Sequence, residues 1–173
     1  MAPSLLALLV SLSAAGGTAF LIVARHRVLA GFAAMVSGVG LLAAIKLAEA
    51  DGQSRSMFFH GVMDRVFDAA ILAPLAWISR ASSLWITVLA LIGLGAANLA
   101  SYERARGGAL GYRTSDPFGY QAARVALLVA ALLTGWVEAG LWAFVALTVA
   151  ASAVRAWNVA VQDRRAREAD LPR

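Results

Sequence analysis

The chain alternates long apolar runs with short polar segments along most of its length. Six runs stand out, at residues 4–24, 28–48, about 60–78, 84–101, about 120–137 and 139 to about 161. A helix rises about 1.5 Å per residue and needs about 20 residues to cross roughly 30 Å of hydrocarbon. Each run is close to that length, although Arg124 shortens the uncharged part of the fifth. The pattern therefore predicts an all-α polytopic membrane protein with six transmembrane helices.

The composition favours burial in lipid over a soluble core. Hydrophobic residues make up 61% of the 173 residues, charged residues make up 14%, and the mean hydropathy is +0.73. A single soluble core of this size cannot bury that much apolar surface. Because most connections are short, we expect one helical domain at residues 1–162 and a charged cytoplasmic tail at 163–173. The chain has no cysteine, which excludes disulfides and thiolate metal sites.

The distribution of basic residues predicts the orientation. They flank the apolar runs instead of forming a soluble basic face. The net charge of +5 is therefore interpreted as a signal of membrane orientation, and no nucleic-acid binding is expected. If both chain ends share one side, that side carries nine basic residues: Lys46, Arg55, Arg104, Arg106, Arg113, Arg164, Arg165, Arg167 and Arg173. The other side carries Arg25, Arg27 and Arg80. The positive-inside rule then places both ends on the cytoplasmic side of the cell (inner) membrane.

Two connections are longer than the others, and both are predicted to be cytoplasmic. They cover residues 50–59 and 102–119, and Gly107, Gly108 and Pro117 are expected to break the helix in the second.

Small and aromatic residues suggest how the helices pack and where they meet the membrane surface. Small residues that allow close helix packing occur in the second and fourth runs: Gly31, Ser37, Gly38, Gly93, Gly95, Ala96 and Ala97. The tryptophans are expected to act as interfacial anchors: Trp77, Trp85, Trp136 and Trp142 at the outer boundary, and Trp157 at the inner one.

Polar chemistry is concentrated at the start of the third run. His60, Asp64 and Asp68 are four residues apart, a spacing that places them on one stripe of a helix. Glu49 and Asp51 end the second run, which must lie close because the connecting segment is short. Carboxylates at the mouth of a membrane helix are costly unless they meet cations, a metal or water, so they mark a candidate functional site. Oxygen ligands of this kind suit Mg²⁺ or Mn²⁺, which bind and polarise phosphate groups.

A structural interpretation of the same residues remains open. Asp64 or Asp68 would then pair with Arg65, Arg55 or Lys46 merely to end the span, without a metal. His60 alone is more typical of an interfacial histidine than of a metal ligand.

Three segments of the chain resemble the CDP-alcohol phosphatidyltransferase family. Asp51-Gly52 followed by Arg55 is similar to the family's Asp-Gly-x-x-Ala-Arg segment at the end of its second helix. Residues 60–72, with Asp64-Arg65-x-x-Asp68, resemble the start of its third helix. Residues 101–106, Ser-Tyr-Glu-Arg-Ala-Arg, are similar to the family's Ser-Tyr-x-Arg-Ala-Arg segment after the fourth helix. The resemblance implies a six-helix CDP-alcohol phosphotransferase-like bundle that forms a two-fold homodimer.

The resemblance also implies an enzyme of phospholipid biosynthesis. Such enzymes displace CMP from a CDP-linked lipid with a small alcohol or phosphorylated alcohol, using two divalent ions held by four aspartates. Carried over, Asp51 and Asp64 become metal ligands, and Asp64 is also the candidate catalytic base. Gly52 and Arg55 become substrate-binding residues, with Arg55 as a displaced copy of the phosphate-contacting arginine.

The chain departs from the family pattern at residues that bear on the chemistry. The first aspartate maps to Ala48 and the third to His60, while the glycine before the third maps to Ser56. Two missing carboxylates leave too little negative charge for two divalent ions, unless Glu49, Asp68 or His60 substitutes. We therefore expect one weakly held Mg²⁺ or Mn²⁺, or none.

The arginines of the second long connection are candidate phosphate-binding residues. Arg104, Arg106 and Arg113 cluster at the predicted membrane surface, where guanidinium groups bind phosphate-bearing ligands. Topology anchoring alone is the alternative role for this cluster.

Three functional classes follow, in decreasing order of support. The first is a metal-dependent CDP-alcohol phosphotransferase, and the second is a catalytically inactive relative that binds lipid or partners an active phosphatidyltransferase. A small transporter would need polar residues deep in several spans, and apart from Asn98 the sequence has few.

Overall fold

The computed structural model describes residues 3–50, 54–114 and 119–169. Within these ranges, the surroundings of the side chains at 3–5, 45, 48–50, 54–60 and 167–169 lie outside the description. The described residues form six helices: α1 (Pro3–Val23), α2 (Arg27–Ala50), α3 (Ser54–Ser79), α4 (Leu84–Ala109), α5 (Tyr120–Thr134) and α6 (Val137–Ala169). They include no strand, which confirms the predicted all-α class for this part of the chain.

Four of the helices are long and apolar enough to cross a membrane, namely α1, α2, α4 and α6. In α3, the charged residues Asp64, Arg65 and Asp68 interrupt the apolar sequence. Helix α5 is apolar but has 15 residues. At about 1.5 Å per residue it is roughly 22 Å long, shorter than a typical hydrocarbon core. Length and composition therefore support a membrane protein, with four candidate spanning helices among the described residues.

Two predicted helix boundaries were wrong. Helix α3 begins at Ser54, so the predicted 50–59 connection is largely helical. Helix α4 continues to Ala109, because glycines at 107 and 108 cost only about 1 kcal/mol each against alanine, which adjacent packing can offset. Thr114 packs against Gly107 in the space that a Cβ would need, and the chain turns instead at Gly111, where φ is +82°.

All six helices contribute residues to the buried core, and glycines bring some of their backbones close together. Alanine side chains would meet Leu133 at Gly31, Val125 at Gly38 and Phe144 at Gly93, so the predicted packing role of these glycines is confirmed. Among the described residues, no heavy atom lies within 4 Å of the Cβ position of Gly95, so no close helix contact is seen there.

Ser37, another of the predicted packing residues, joins α2 to α1. Its Oγ donates to Ser11 O at 2.8 Å, and Ser11 Oγ donates to Ser37 O at the same distance. Both residues are buried among apolar groups, which offer no hydrogen-bond partner. The reciprocal bonds therefore satisfy both hydroxyl groups.

The helix ends form two groups at opposite ends of the bundle, and Arg25, Arg27 and Arg80 belong to one of them. A cavity of about 280 Å³ is lined by residues from the turn ends of all six helices, including Arg25 and Arg27. Arg80 lies with Arg25 at a second cavity at this end. At the opposite end, the segment after α4 contacts the last turns of α6 through Arg113 and Gln162. The three basic residues predicted for one side therefore do lie together.

The tryptophans are exposed, as interfacial anchors should be. Their exposed fractions range from 51% for Trp142 to 77% for Trp136. Trp77 stacks beneath the Arg80 guanidinium, whose central carbon lies 3.7 Å from the ring centroid. Trp85 and Trp142 have centroids 6.4 Å apart, an aromatic pair at the same end of the bundle.

Candidate functional site

Two of the predicted site residues, Asp64 and Asp68, lie one turn apart on α3 and are both buried. Asp64 is 3% exposed and Asp68 is fully buried. The four-residue spacing predicted that they would share one stripe of a helix, and both contact the same residue of α5. Buried carboxylates are costly unless they have a cation or hydrogen-bond donors, so their partners determine what this site can do.

Arg124 of α5 is the cation that contacts both carboxylates. Its Nη2 lies 3.2 Å from Asp64 Oδ1, and its Nη1 lies 3.1 Å from Asp68 Oδ2. The arginine is itself only 2% exposed. Gln121, one turn before it, donates from Nε2 to Asp64 Oδ1 at 2.6 Å. The fork of one guanidinium thus joins the two acids of α3 to α5.

The cluster is held by charge more than by well-aligned hydrogen bonds. Both arginine contacts satisfy the distance of an ion pair, yet neither oxygen of Asp68 has a hydrogen-bond partner among the described residues. Nε and Nη2 of Arg124 are likewise buried without one. An ion pair with incomplete hydrogen bonding stabilises a fold little, because desolvation offsets its Coulomb attraction.

An aromatic ring links this cluster to a second buried arginine. The central guanidinium carbons of Arg124 and Arg155 lie 5.4 Å and 5.0 Å from the ring centroid of Tyr120. The tyrosine OH donates to Thr148 Oγ1 at 3.3 Å, and Arg155 Nη1 donates to Ala100 O at 3.0 Å. This arrangement ties α5 to α6 and α6 to α4 at the level of the acids.

The α3 and α4 segments that carry the family resemblance pack against each other. Arg65 donates from Nη1 to Ala97 O of α4 at 3.1 Å. Arg65 and Gly61 line a groove of about 500 Å³ together with Ser101 and Tyr102. Residues 61–68 and 101–106, far apart in sequence, therefore lie side by side.

The predicted phosphate-binding arginines lie where α4 ends. Arg106 lines a cavity of about 590 Å³ between α4 and α6, together with Arg155 and two acids, Glu103 and Asp163. Arg104 is half-buried near the same helix end.

The segment after α4 lines part of this cavity and carries Arg113. Tyr112 OH donates to Asp163 Oδ1 at 3.1 Å. Arg113 N donates to Gln162 Oε1 at 2.9 Å, and Gln162 Nε2 donates to Arg113 O at 3.1 Å. These bonds fix the backbone of residues 112–113 on α6, while the side chain of Arg113 stays exposed.

Some predicted site residues fall outside this description. Asp51 and Gly52 lie outside the described residues, and Glu49, Arg55 and His60 lie in helices without described side-chain surroundings. Their predicted roles stay predictions. The sequence pattern did not identify Gln121 and Arg124 as partners of the acids. The signal was present, because an arginine inside one span requires an opposite charge at the same depth of another.

The described acids do not fit a divalent ion while Arg124 occupies its position. Among the described residues there is no group of three or more histidine, cysteine or acidic side chains placed to hold a metal. Asp64 and Asp68 form a pair whose two negative charges already face one positive charge. A metal between them would have to displace the guanidinium or recruit ligands from residues 49–60.

Comparisons of the chain with known protein families, with curated proteins and with solved structures found no match. The family resemblance therefore stays a prediction from the sequence motifs.

Proposed function

We propose that this chain is a CDP-alcohol phosphatidyltransferase-like membrane protein that binds a CDP-linked or other phosphate-bearing lipid at one end of its helix bundle. All six helices would cross the membrane, with both chain ends on the cytoplasmic side. Helix α3 would cross because its acids are neutralised inside the bundle, and the short α5 because the bilayer thins locally around it.

One observation carries the proposal. The α3 segment with Asp64 and the α4 segment with Ser101 and Tyr102, which resemble two separate motifs of the family, meet through Arg65. Arg104 and Arg106 follow within the next helical turns. A lipid phosphate at this end would therefore meet guanidinium groups at the predicted membrane surface.

A catalytically inactive relative is the second candidate, and Arg124 favours it over an active enzyme. In the active form, the alcohol oxygen attacks the lipid-linked phosphorus, its proton passes to Asp64, and the bond to CMP breaks. Arg124 Nη2 and Gln121 Nε2 both already contact Asp64 Oδ1, so a substrate hydroxyl could reach this oxygen only by displacing one of them. The inactive relative would bind lipid or partner an active phosphatidyltransferase, and the predicted homodimer belongs to the same proposal.

Binding of CDP-diacylglycerol to the protein in nanodiscs tests the proposed function. Replacing Arg104 and Arg106 by glutamine should weaken binding at least about tenfold, because a hydrogen bond to a charged group contributes about 1.5–3 kcal/mol. Arg165→Gln is the matched control, because it removes an exposed positive charge from the same end of the bundle. If the native protein, the double variant and the control bind the lipid equally well, Arg104 and Arg106 do not bind it and serve only as topology anchors.

A CMP-release assay separates the two candidates. CDP-diacylglycerol is supplied with a panel of alcohols and phosphorylated alcohols, with and without Mn²⁺. Lipid binding without CMP release supports the inactive relative, and metal-dependent CMP release supports the enzyme.

A further inference from the structure

The guanidinium of Arg124 lies between Asp64 and Asp68, where a cation shared by the two carboxylates would bind. The guanidinium approaches one oxygen of each carboxylate, at 3.2 Å and 3.1 Å, from the neighbouring helix. All three side chains are at least nine-tenths buried, so water screens their interaction weakly. A planar guanidinium with several donors is the side chain best suited to join two carboxylates in this way.

The acids retain binding capacity that the arginine does not use. Asp68 is fully buried, and its Oδ1 has neither an ion-pair nor a hydrogen-bond partner among the described residues. The oxygen therefore has lone pairs available within a site that excludes bulk solvent. A divalent ion accepts oxygen ligands from several directions, whereas the arginine is restricted to the plane of its fork.

We infer that Arg124 is the built-in cation of this site and replaces a divalent ion between Asp64 and Asp68. In the native protein these two acids then hold no metal. A neutral side chain at residue 124 would leave two buried carboxylates facing each other, and that pair would take up Mn²⁺ or Mg²⁺ in place of the lost positive charge. The inference rests on the proposed function only in naming the ion that Arg124 replaces.

Metal binding by three variants tests this exchange. Arg124→Gln removes the charge, Arg124→Lys keeps it, and the triple variant Arg124→Gln, Asp64→Asn, Asp68→Asn removes the whole cluster at similar side-chain volume. Mn²⁺ binding is measured on purified protein by electron paramagnetic resonance and calorimetry. Arg124→Gln should gain one Mn²⁺ site at least about tenfold tighter than any site of the native protein, and the lysine and triple variants should not.

Thermal stability provides a second readout. Mn²⁺ should raise the melting temperature of Arg124→Gln and leave that of the triple variant unchanged, because a ligand that binds only the folded state stabilises it. If Arg124→Gln does not fold alone, Mn²⁺ should restore folding, while the triple variant should fold without it.

Two results would overturn the inference. One is Mn²⁺ binding to native protein that is as tight as binding to Arg124→Gln and is lost in Asp64→Asn. The other is an Arg124→Gln protein that neither binds Mn²⁺ nor is restored by it, although the triple variant folds. Neither readout needs a nucleotide lipid, so failure of lipid binding or CMP release would leave this test intact.

Discussion

An alanine at Gly38 tests how closely α2 and α5 pack beside the charged cluster. The new Cβ would overlap the Cγ1 methyl of Val125, the residue after Arg124, and would lie 3.6 Å from Phe67 Cε2. Val125 cannot easily rotate away, because a valine in a helix strongly prefers one χ1 rotamer. Overpacking of this kind costs about 1–3 kcal/mol, and the better helix propensity of alanine returns about 0.5–1 kcal/mol. The net range is about 0–2.5 kcal/mol, and we expect Gly38→Ala to lower the free energy of unfolding by about 1 kcal/mol, near its middle.

The measurement is an unfolding titration with SDS in mixed micelles, with two comparison proteins. Gly95→Ala is the matched control, because no heavy atom of the described part of the chain lies within 4 Å of the new Cβ, and it should be neutral or slightly stabilising. The double variant Gly38→Ala, Val125→Ala removes the overlapping methyl and should be less destabilised than the sum of its single changes. The reasoning is refuted if Gly38→Ala is as stable as native protein, or if the two single changes add without coupling.

Two further predictions concern the ends of the bundle. A cysteine at Ser82 should be labelled from outside the cell and one at Gly108 from the cytoplasm, in the direction set by the positive charges; the opposite labelling would invert the topology. Gln162→Ala should speed amide exchange at Arg113 about two- to tenfold, as expected for losing a hydrogen bond of about 0.5–1.5 kcal/mol. Arg165→Ala on the same helix should not, and equal exchange in both variants would show that the bond does not hold this segment.

The sequence predicted the helices well because their apolar runs must be buried whatever their neighbours are. It also predicted that Gly31 and Gly38 would lie at helix contacts, since small residues in apolar spans favour close packing. The prediction that Gly107 and Gly108 break the helix was wrong. Helix α4 continues through both residues, and Thr114 packs against Gly107. Local propensity cannot anticipate a contact made by a later segment.

The candidate site was predicted less completely than the fold. The spacing of Asp64 and Asp68 placed them on one face of α3, which is a property of a single helix. The choice of Arg124 as their cation depends on how α3 and α5 are arranged in space, and the sequence alone offered several basic residues as partners. Helix spacing therefore predicts which acids act together, while only the packing of the bundle identifies their partner.

A crystal of the native protein soaked with Mn²⁺ and CDP-diacylglycerol tests most directly whether Arg124, and no divalent ion, lies between Asp64 and Asp68. Anomalous scattering locates manganese independently of the protein density. We predict that the Arg124 guanidinium stays within ion-pair distance of Asp64 and Asp68, with no manganese peak between the two carboxylates. A manganese peak bound to Asp64, with the side chain of Arg124 displaced, would contradict the account and indicate a metal-dependent enzyme.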